Sequence, residues 1–255
     1  PSDASTYRLY GLDYFDSVLL TGEYQKDHVR ILEQNRKQKE KDLVVVGCTY
    51  LDELQKKVAE LPSSPKAPFT VLLSPSWGTN AILTRYGTEL LDPLLQTGFQ
   101  VIVRPHPQTR KTEQHILEPL IQRYKDAPNL EWDNNAENLL SLSRADIMIS
   151  DFSGIIFDYI FLFNRPFLYV NQDFDWSPFD SYEIEETPWM FRVLPEIGLE
   201  LHREHFDNIE AILKNAVDDV VFSESRIKAR ETAWQHRGES AERVVDYLLT
   251  KISTK

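Results

Sequence analysis

The chain is poor in several things at once. Among its 255 residues it has a single cysteine, Cys48, so no disulfide can form within it. A lone thiol suits a reducing compartment. Basic residues are outnumbered, 28 Lys and Arg against 40 Asp and Glu, and the formal charge is -12. That balance argues against a nucleic-acid partner, whose affinity rests on cations meeting phosphates. It also argues against purely electrostatic adhesion to anionic lipid. No apolar run reaches membrane-spanning length, and the first residues lack a secretory pattern. The six histidines show no metal-like clustering: His202 and His205 sit three apart without an obvious third ligand, so no metal is expected. Internal repeats and low-complexity tracts are missing too. Pro1 is not an initiator residue, which points to a chain processed or cut from something longer.

What is present is a core-building composition, 42% hydrophobic, enough for one domain or one domain and a fragment. Apolar runs at Phe15 to Leu20 and Leu43 to Val46 predict two buried strands joined by a charged helix over about 24–41. An amphipathic helix over 51–61 follows. Pro62-Ser-Ser-Pro-Lys-Ala-Pro68 then reads as a linker. Beyond it strands at 69–73, 100–103, 129–132, 147–149 and 166–170 alternate with helices near 81–96, 112–124, 137–143 and 154–163. An irregular stretch covers 171–195, and helices over 206–221 and 225–252 close the chain. Such alternation predicts an α/β fold with a parallel, doubly wound sheet. Two strands are too few for an independent first domain. Residues 1–64 therefore read as the trailing segment of a preceding α/β domain with its linker, and 65–255 as a Rossmann-like nucleotide-binding domain.

Two short segments carry the chemistry. In Asp146-Ile-Met-Ile-Ser-Asp-Phe-Ser-Gly-Ile-Ile-Phe-Asp158 a buried strand runs through a polar loop into an apolar helix. Ser153 is a good helix cap and Gly154 permits close approach of a ligand to the backbone. The first amides of the helix, with the positive end of its dipole behind them, form a ready anion site. Asp151 beside a phosphate would repel it and is expected to hold the loop's shape. Asp158 sits in a helix apolar nearly all round, so its carboxylate needs a partner. Ribose hydroxyls, a loop amide or an internal hydrogen bond would each serve.

The second segment, Gln100-Val-Ile-Val-Arg-Pro-His-Pro107, presents Arg104 and His106 at the carboxyl end of a strand, each stiffened by a following proline. Ligands of open α/β sheets bind there. His106 suits a diphosphate, as charge stabiliser or acid, or is solvated where Pro-His-Pro merely stops the strand. Arg104 reads either as a diphosphate ligand or as a surface cation. Trp77 and Gly78 follow the first strand after the linker, where the aromatic would line a nucleotide pocket or cover the sheet edge. Arg243, at the start of the last helix, reaches a diphosphate or lies on a solvated face.

Taken in order, Arg104-Pro-His-Pro107, Ile149-Ser-Asp-Phe-Ser-Gly-Ile-Ile-Phe-Asp158 and Arg237-Gly-Glu-Ser-Ala-Glu-Arg-Val244 resemble the CDP-glycerol glycerophosphotransferase family of teichoic-acid polymerases and primases. The resemblance runs from about Phe15 to Leu249. It implies a GT-B-type fold and transfer of glycerol phosphate, or a related polyol phosphate, from a CDP-alcohol donor. The acceptor is a polyol phosphate or lipid-linked glycan, and CMP leaves. No further cofactor is implied. His106 takes the place of the family's catalytic histidine in the nucleotide domain, and Ser150, Ser153 and Asp158 resemble its nucleotide loop. A cytoplasmic protein is implied, peripheral at the inner face of the membrane through parts beyond this chain. The fragment alone is expected to be inactive. The sequence departs from the family in lacking the His-Gly element of the first domain. Gly78 also stands where arginine is frequent, and no arginine-glycine-phenylalanine pattern follows Asp173. A GT-B glycosyltransferase or 2-epimerase using a nucleotide sugar, and a non-catalytic nucleotide-binding fragment, are the competing readings.

Overall fold

The structure is a computed structural model describing residues 3–61, 68–170, 175–218 and 220–253. The expected linker lies outside the described residues except for its last member, Pro68, and so do 171–174 of the irregular stretch. The chain forms two compact units. One comprises the chain up to Glu60, Asp175–Val193 and everything from Ile227 onward; the other runs from Leu61 to Arg226 apart from that excursion. A single cut at 64/65 therefore does not describe the molecule. The excursion and everything from Ile227 onward belong with the first sixty residues.

The first unit opens with β1 (Ser17–Leu20), α1 (Lys26–Asn35), β2 (Asp42–Val45) and α2 (Thr49–Glu60). β1 and β2 pair in parallel as a separate two-stranded sheet, Ser17 opposite Asp42. Leu12, Leu20 and Val29 form its small core with Val18, Leu43 and Val45. An arginine ties the excursion to this unit. Arg36, 7% exposed, reaches Asp13 at 2.7 Å, Asp180 at 2.8 Å and Glu183 at 2.8 Å.

The second unit continues with β3 (Thr70–Leu73), α3 (Ile82–Gln96), β4 (Gln100–Val103), α4 (Pro107–Thr112), α5 (Gln114–Arg123), β5 (Leu130–Trp132), α6 (Leu139–Arg144), β6 (Ile147–Ser150), α7 (Ile155–Phe163) and β7 (Phe167–Tyr169). After α8 (Trp189–Arg192) in the first unit come α9 (Leu194–Ile197), β8 (Leu199–Glu200) and α10 (Ile209–Asp218). The six strands are all parallel in the order β5-β4-β3-β6-β7-β8. Both faces are covered, which is why these strands are continuous apolar runs rather than alternating ones. Val71, Leu73, Val101, Val103, Ile147 and Ile149 pack with Leu90, Leu94, Leu120 and Leu213 on one face. Leu72, Ile102 and Met148, pointing the other way, are equally buried, and α6 and α7 contact β3 and β6.

The expected single helix over 225–252 is two, α11 (Val221–Ala233) and α12 (Ser240–Ser253). His236 and Gly238 between them take positive φ of 53° and 83°. Asp52 holds the break, accepting from Trp234 Nε1 at 2.8 Å and from the amides of Gly238 at 2.9 Å and Ser240 at 3.0 Å.

Candidate functional site at the switch point

Successive strands run outward in one direction from β3 through β4 to β5, and in the other from β6 through β7 to β8. The strand order thus reverses between β3 and β6, and a crevice opens beyond their carboxyl ends. A cavity of about 270 Å³ lies there. Its walls come from Ser74 and Pro75 after β3, Arg104 to Pro107 after β4, and Asn138 at the start of α6. Ser153, Gly154, Ile155 and Asp158 complete it from the β6–α7 loop and α7. A larger hollow of about 410 Å³ sits in the other unit, lined by Tyr7, Leu12, Phe15 and β1. It carries no residue of either sequence segment.

Ordinary hydrogen bonds close the floor. The Ser74 amide donates to Ile149 O at 2.9 Å, and Ser150 Oγ donates to Ser74 O at 2.6 Å. Ser150 is fully buried, so its hydroxyl ties β6 to β3 rather than facing the cavity, unlike the expectation that it contacts the nucleotide. Asp151 accepts from the amides of Ser76 at 2.9 Å and Ile82 at 3.0 Å. This buried carboxylate fixes the loop that links β3 to α3, whereas the expectation was that it holds the shape of its own loop. Burial pushes its pKa up, against the pull of those two amides.

The helix start differs in detail from the expectation. Gly154, not Ser153, is the capping residue of α7, and no side chain caps it. The amides of Ile156 and Phe157 bond the carbonyls of Ser153 and Gly154 at 3.3 and 3.1 Å. Gly154 has φ -60°, open to any residue, and a Cβ there would meet nothing within 4 Å. Neither backbone strain nor packing calls for glycine at this position. Its missing side chain leaves cavity space. Asp158 is half-buried one turn into α7, with Asn138 Nδ2 at 3.5 Å from its Oδ2.

His106 is half-buried, and its Nδ1 accepts from the Gln108 amide at 3.0 Å, capping α4. An acceptor nitrogen carries no proton, so the neutral ring holds its hydrogen on Nε2; the tautomer is assigned from this bond. Burial pushes the His106 pKa down, partly offset by Glu113. Trp77 lies over the ring with centroids 6.2 Å apart and 28° between planes. The indole is half exposed and outside the cavity wall. Gly78, at φ 103°, donates its amide to Glu113 Oε1 at 3.0 Å.

Arg104 is not a surface cation. It is 9% exposed and its guanidinium reaches Asp133 Oδ2 at 2.5 Å, Asn135 O at 2.9 Å and Ala136 O at 3.3 Å. Arg243 lies in the other unit and pairs with Glu239, the residue just before its helix, at 2.9 Å. The structure thus brings Arg104, His106, Ser153, Gly154 and Asp158 together around one cavity. Ser150 lies beneath it, Trp77 and Gly78 stand behind His106, and Arg243 is in the other unit. Sequence reasoning missed Asp133, Asn138 and Glu113. An aspartate ending a strand was a readable sign for the first; nothing local marks the other two.

Among the described residues no helix is long and apolar enough to cross a membrane. No curated protein matched the chain. Among solved structures, the wall teichoic acid polymerase TagF matches at TM-score 0.56 and 18% identity over 94% of this chain and 58% of that one. The same polymerase soaked with CDPG matches at 0.57 and 18%, over 94% and 57%. UDP-GlcNAc 2-epimerase from Neisseria meningitidis bound to UDP-GlcNAc matches at 0.62 and 12%, over 97% and 69%. This chain therefore spans little more than half of the TagF structures, and the shared architecture is the GT-B-type α/β fold. A family profile, CDP-Glycerol:Poly(glycerophosphate) glycerophosphotransferase, matches residues 19–250, and the chain belongs to that family.

Proposed function

We propose that the switch-point cavity binds the diphosphate of a CDP-alcohol donor, CDP-glycerol or a close relative. The protein it serves passes the polyol phosphate to a polyol-phosphate or glycan acceptor in wall or capsule polymer synthesis. Three things support this reading: the family, the TagF structure soaked with CDPG, and a helix start opening on a cavity. The single observation that carries it is Gly154, a glycine whose absent side chain leaves open space at that helix start.

In the proposed reaction an acceptor hydroxyl attacks the phosphorus bearing the polyol. A new P–O bond forms as the bond to the CMP phosphate oxygen breaks, the hydroxyl's proton passes to solvent or to a base on the acceptor side, and CMP carries away the negative charge. Such transfer needs positioning and charge neutralisation more than covalent help. The amides of Gly154 and Ile155, ahead of those already bonded in α7, would face the diphosphate, with Ser153 Oγ beside them. His106 would donate from Nε2. Acid catalysis by His106 needs an imidazolium, which would set an Nδ1–H against the Gln108 N–H; hydrogen-bond donation needs no such clash. Asp158 and Asn138, also on the cavity wall, would meet hydroxyl groups of the donor. The unit containing β1 and β2 belongs in this account to the acceptor side, and membrane attachment to regions beyond this chain.

Calorimetry with CDP-glycerol, CDP-ribitol, CMP and UDP-GlcNAc tests the proposal. Cytidine compounds should bind, Ser153→Ala should weaken them slightly and Gly154→Val strongly, because amides carry most of the anion binding. Preference for UDP-GlcNAc would favour the 2-epimerase or glycosyltransferase reading. Equal affinity of all three proteins would remove the cavity from the account.

A further inference from the structure

Arg104 poses a question the reaction leaves open: a cation at the mouth of a phosphate site has its charge turned away into the protein. Its partner, Asp133, has a side chain 1% exposed at the end of β5. Asp133 Oδ2 also accepts from Ser141 Oγ on α6, and Oδ1 accepts from the amide and the Nδ2 of Asn135, both at 2.8 Å. The Asp133 carbonyl accepts from Arg110 on α4 at 2.9 Å. Burial works to raise the Asp133 pKa, yet these donors and Arg104 hold it below the usual carboxylate range. The pair therefore remains charged inside the fold. The end of β4, the turn after β5 and α6 meet on this one carboxylate, and α4 is tied to the backbone of the same residue. His106 follows Arg104 across a single proline, and Asn138 follows the turn whose carbonyls Arg104 binds.

We infer that Asp133 is a positioning residue: with Arg104 it clamps the two cavity walls, His106 on one and Asn138 on the other, and neither charge is spent on the ligand. Removing one member of a buried pair leaves the other uncompensated and frees whatever the pair held. The inference rests on the cavity being the donor site proposed above, but part of its test does not need a ligand.

The two roles for Arg104 predict opposite signs for Asp133→Asn. If Arg104 serves the diphosphate, neutralising its internal rival strengthens anion binding. If the pair is a clamp, the walls shift and binding weakens. CDP-glycerol titrated into the 255-residue chain should bind about tenfold more weakly to Asp133→Asn and to Arg104→Lys, as misplaced binding groups cost. The double variant should be no weaker than the worse single one, the non-additivity of residues acting as one unit. Ser141→Ala keeps both charges and should show a smaller loss; it stands in if Asp133→Asn does not fold. Without ligand, the imidazole ¹⁵N signals of His106, identified by their loss in His106→Gln, should shift in Asp133→Asn. Tighter binding in Asp133→Asn, or unmoved imidazole signals with unchanged affinity in a merely less stable protein, would overturn the clamp. If the wild type binds no CDP-glycerol, the proposed function fails while the imidazole signals still decide the clamp.

Discussion

His106 concentrates the residue-scale chemistry. Two prolines fix its backbone, the Gln108 amide fixes Nδ1, and Trp77 flanks the ring. The expected outcome of His106→Ala, in a preparation that releases CMP from CDP-glycerol, is a loss of roughly 10²-fold in turnover, the range for a positioned charge-stabilising group. CMP release measured under single turnover, beside a separate binding measurement, checks it. His106→Gln, which keeps an N–H donor, should recover part of the loss. The pH dependence follows from burial. The folded pKa lies below the ordinary histidine value of about 6.5, so the neutral ring is the stable form in the fold. Its contribution to stability is complete above the unfolded value and is lost as pH falls through the folded one. The urea midpoint should therefore carry no His106 contribution to its pH dependence above about 6.5 and show a loss below it that His106→Gln lacks. An activity that rises as pH falls through the histidine range would instead mark an acid.

At the scale of elements, the β6–α7 loop shows what local sequence can and cannot convey. The strand, the loop and the helix were all legible, since an apolar run, a Ser-Asp-Phe-Ser-Gly turn and a second apolar run admit little else. The hydrogen bonds were less so. Ser153 satisfies every local rule for a cap, yet the helix begins one residue later with Ser150 and Asp151 turned toward β3. Those partners come from residues more than sixty positions away, and local pattern holds no record of them. The same applies to Arg104, whose fate was decided by Asp133 on the neighbouring strand. Asp151 gives this level its prediction. Asp151→Asn retains the shape but turns one acceptor into a donor facing an amide. Urea unfolding should show a loss of about 1–3 kcal/mol, the cost of a buried group left unpaired. An unchanged midpoint would mean that the β3–α3 loop does not depend on this carboxylate.

Over the whole molecule, the alternation of strands and helices made the doubly wound sheet readable from sequence, while the membership of the two units was not. Asp175–Val193 has no periodicity that would assign it to the first unit; the ties are Arg36 and a short antiparallel bridge, Leu9 N to Pro178 O and Asp180 N to Tyr7 O. The break between α11 and α12 was missed although Gly238 marks it, because the turn rests on Asp52, far away in sequence. Arg36→Ala strands the fully buried Asp180 and should destabilise the first unit by about 3–5 kcal/mol, as breaking a buried ion pair does. Thermal unfolding followed in the first unit by Trp234 fluorescence is the check, and a shift of less than about 1 °C would reduce Arg36 to an ornament of the surface. If the cavity beyond β3, β4 and β6 is the donor site, a crystal of this chain soaked with CDP-glycerol should show it. Diphosphate density is expected within hydrogen-bonding distance of the Gly154 and Ile155 amides and of His106 Nε2, with Arg104 still bonded to Asp133. Density at any other place, or a guanidinium of Arg104 swung from Asp133 onto the phosphates, would contradict it.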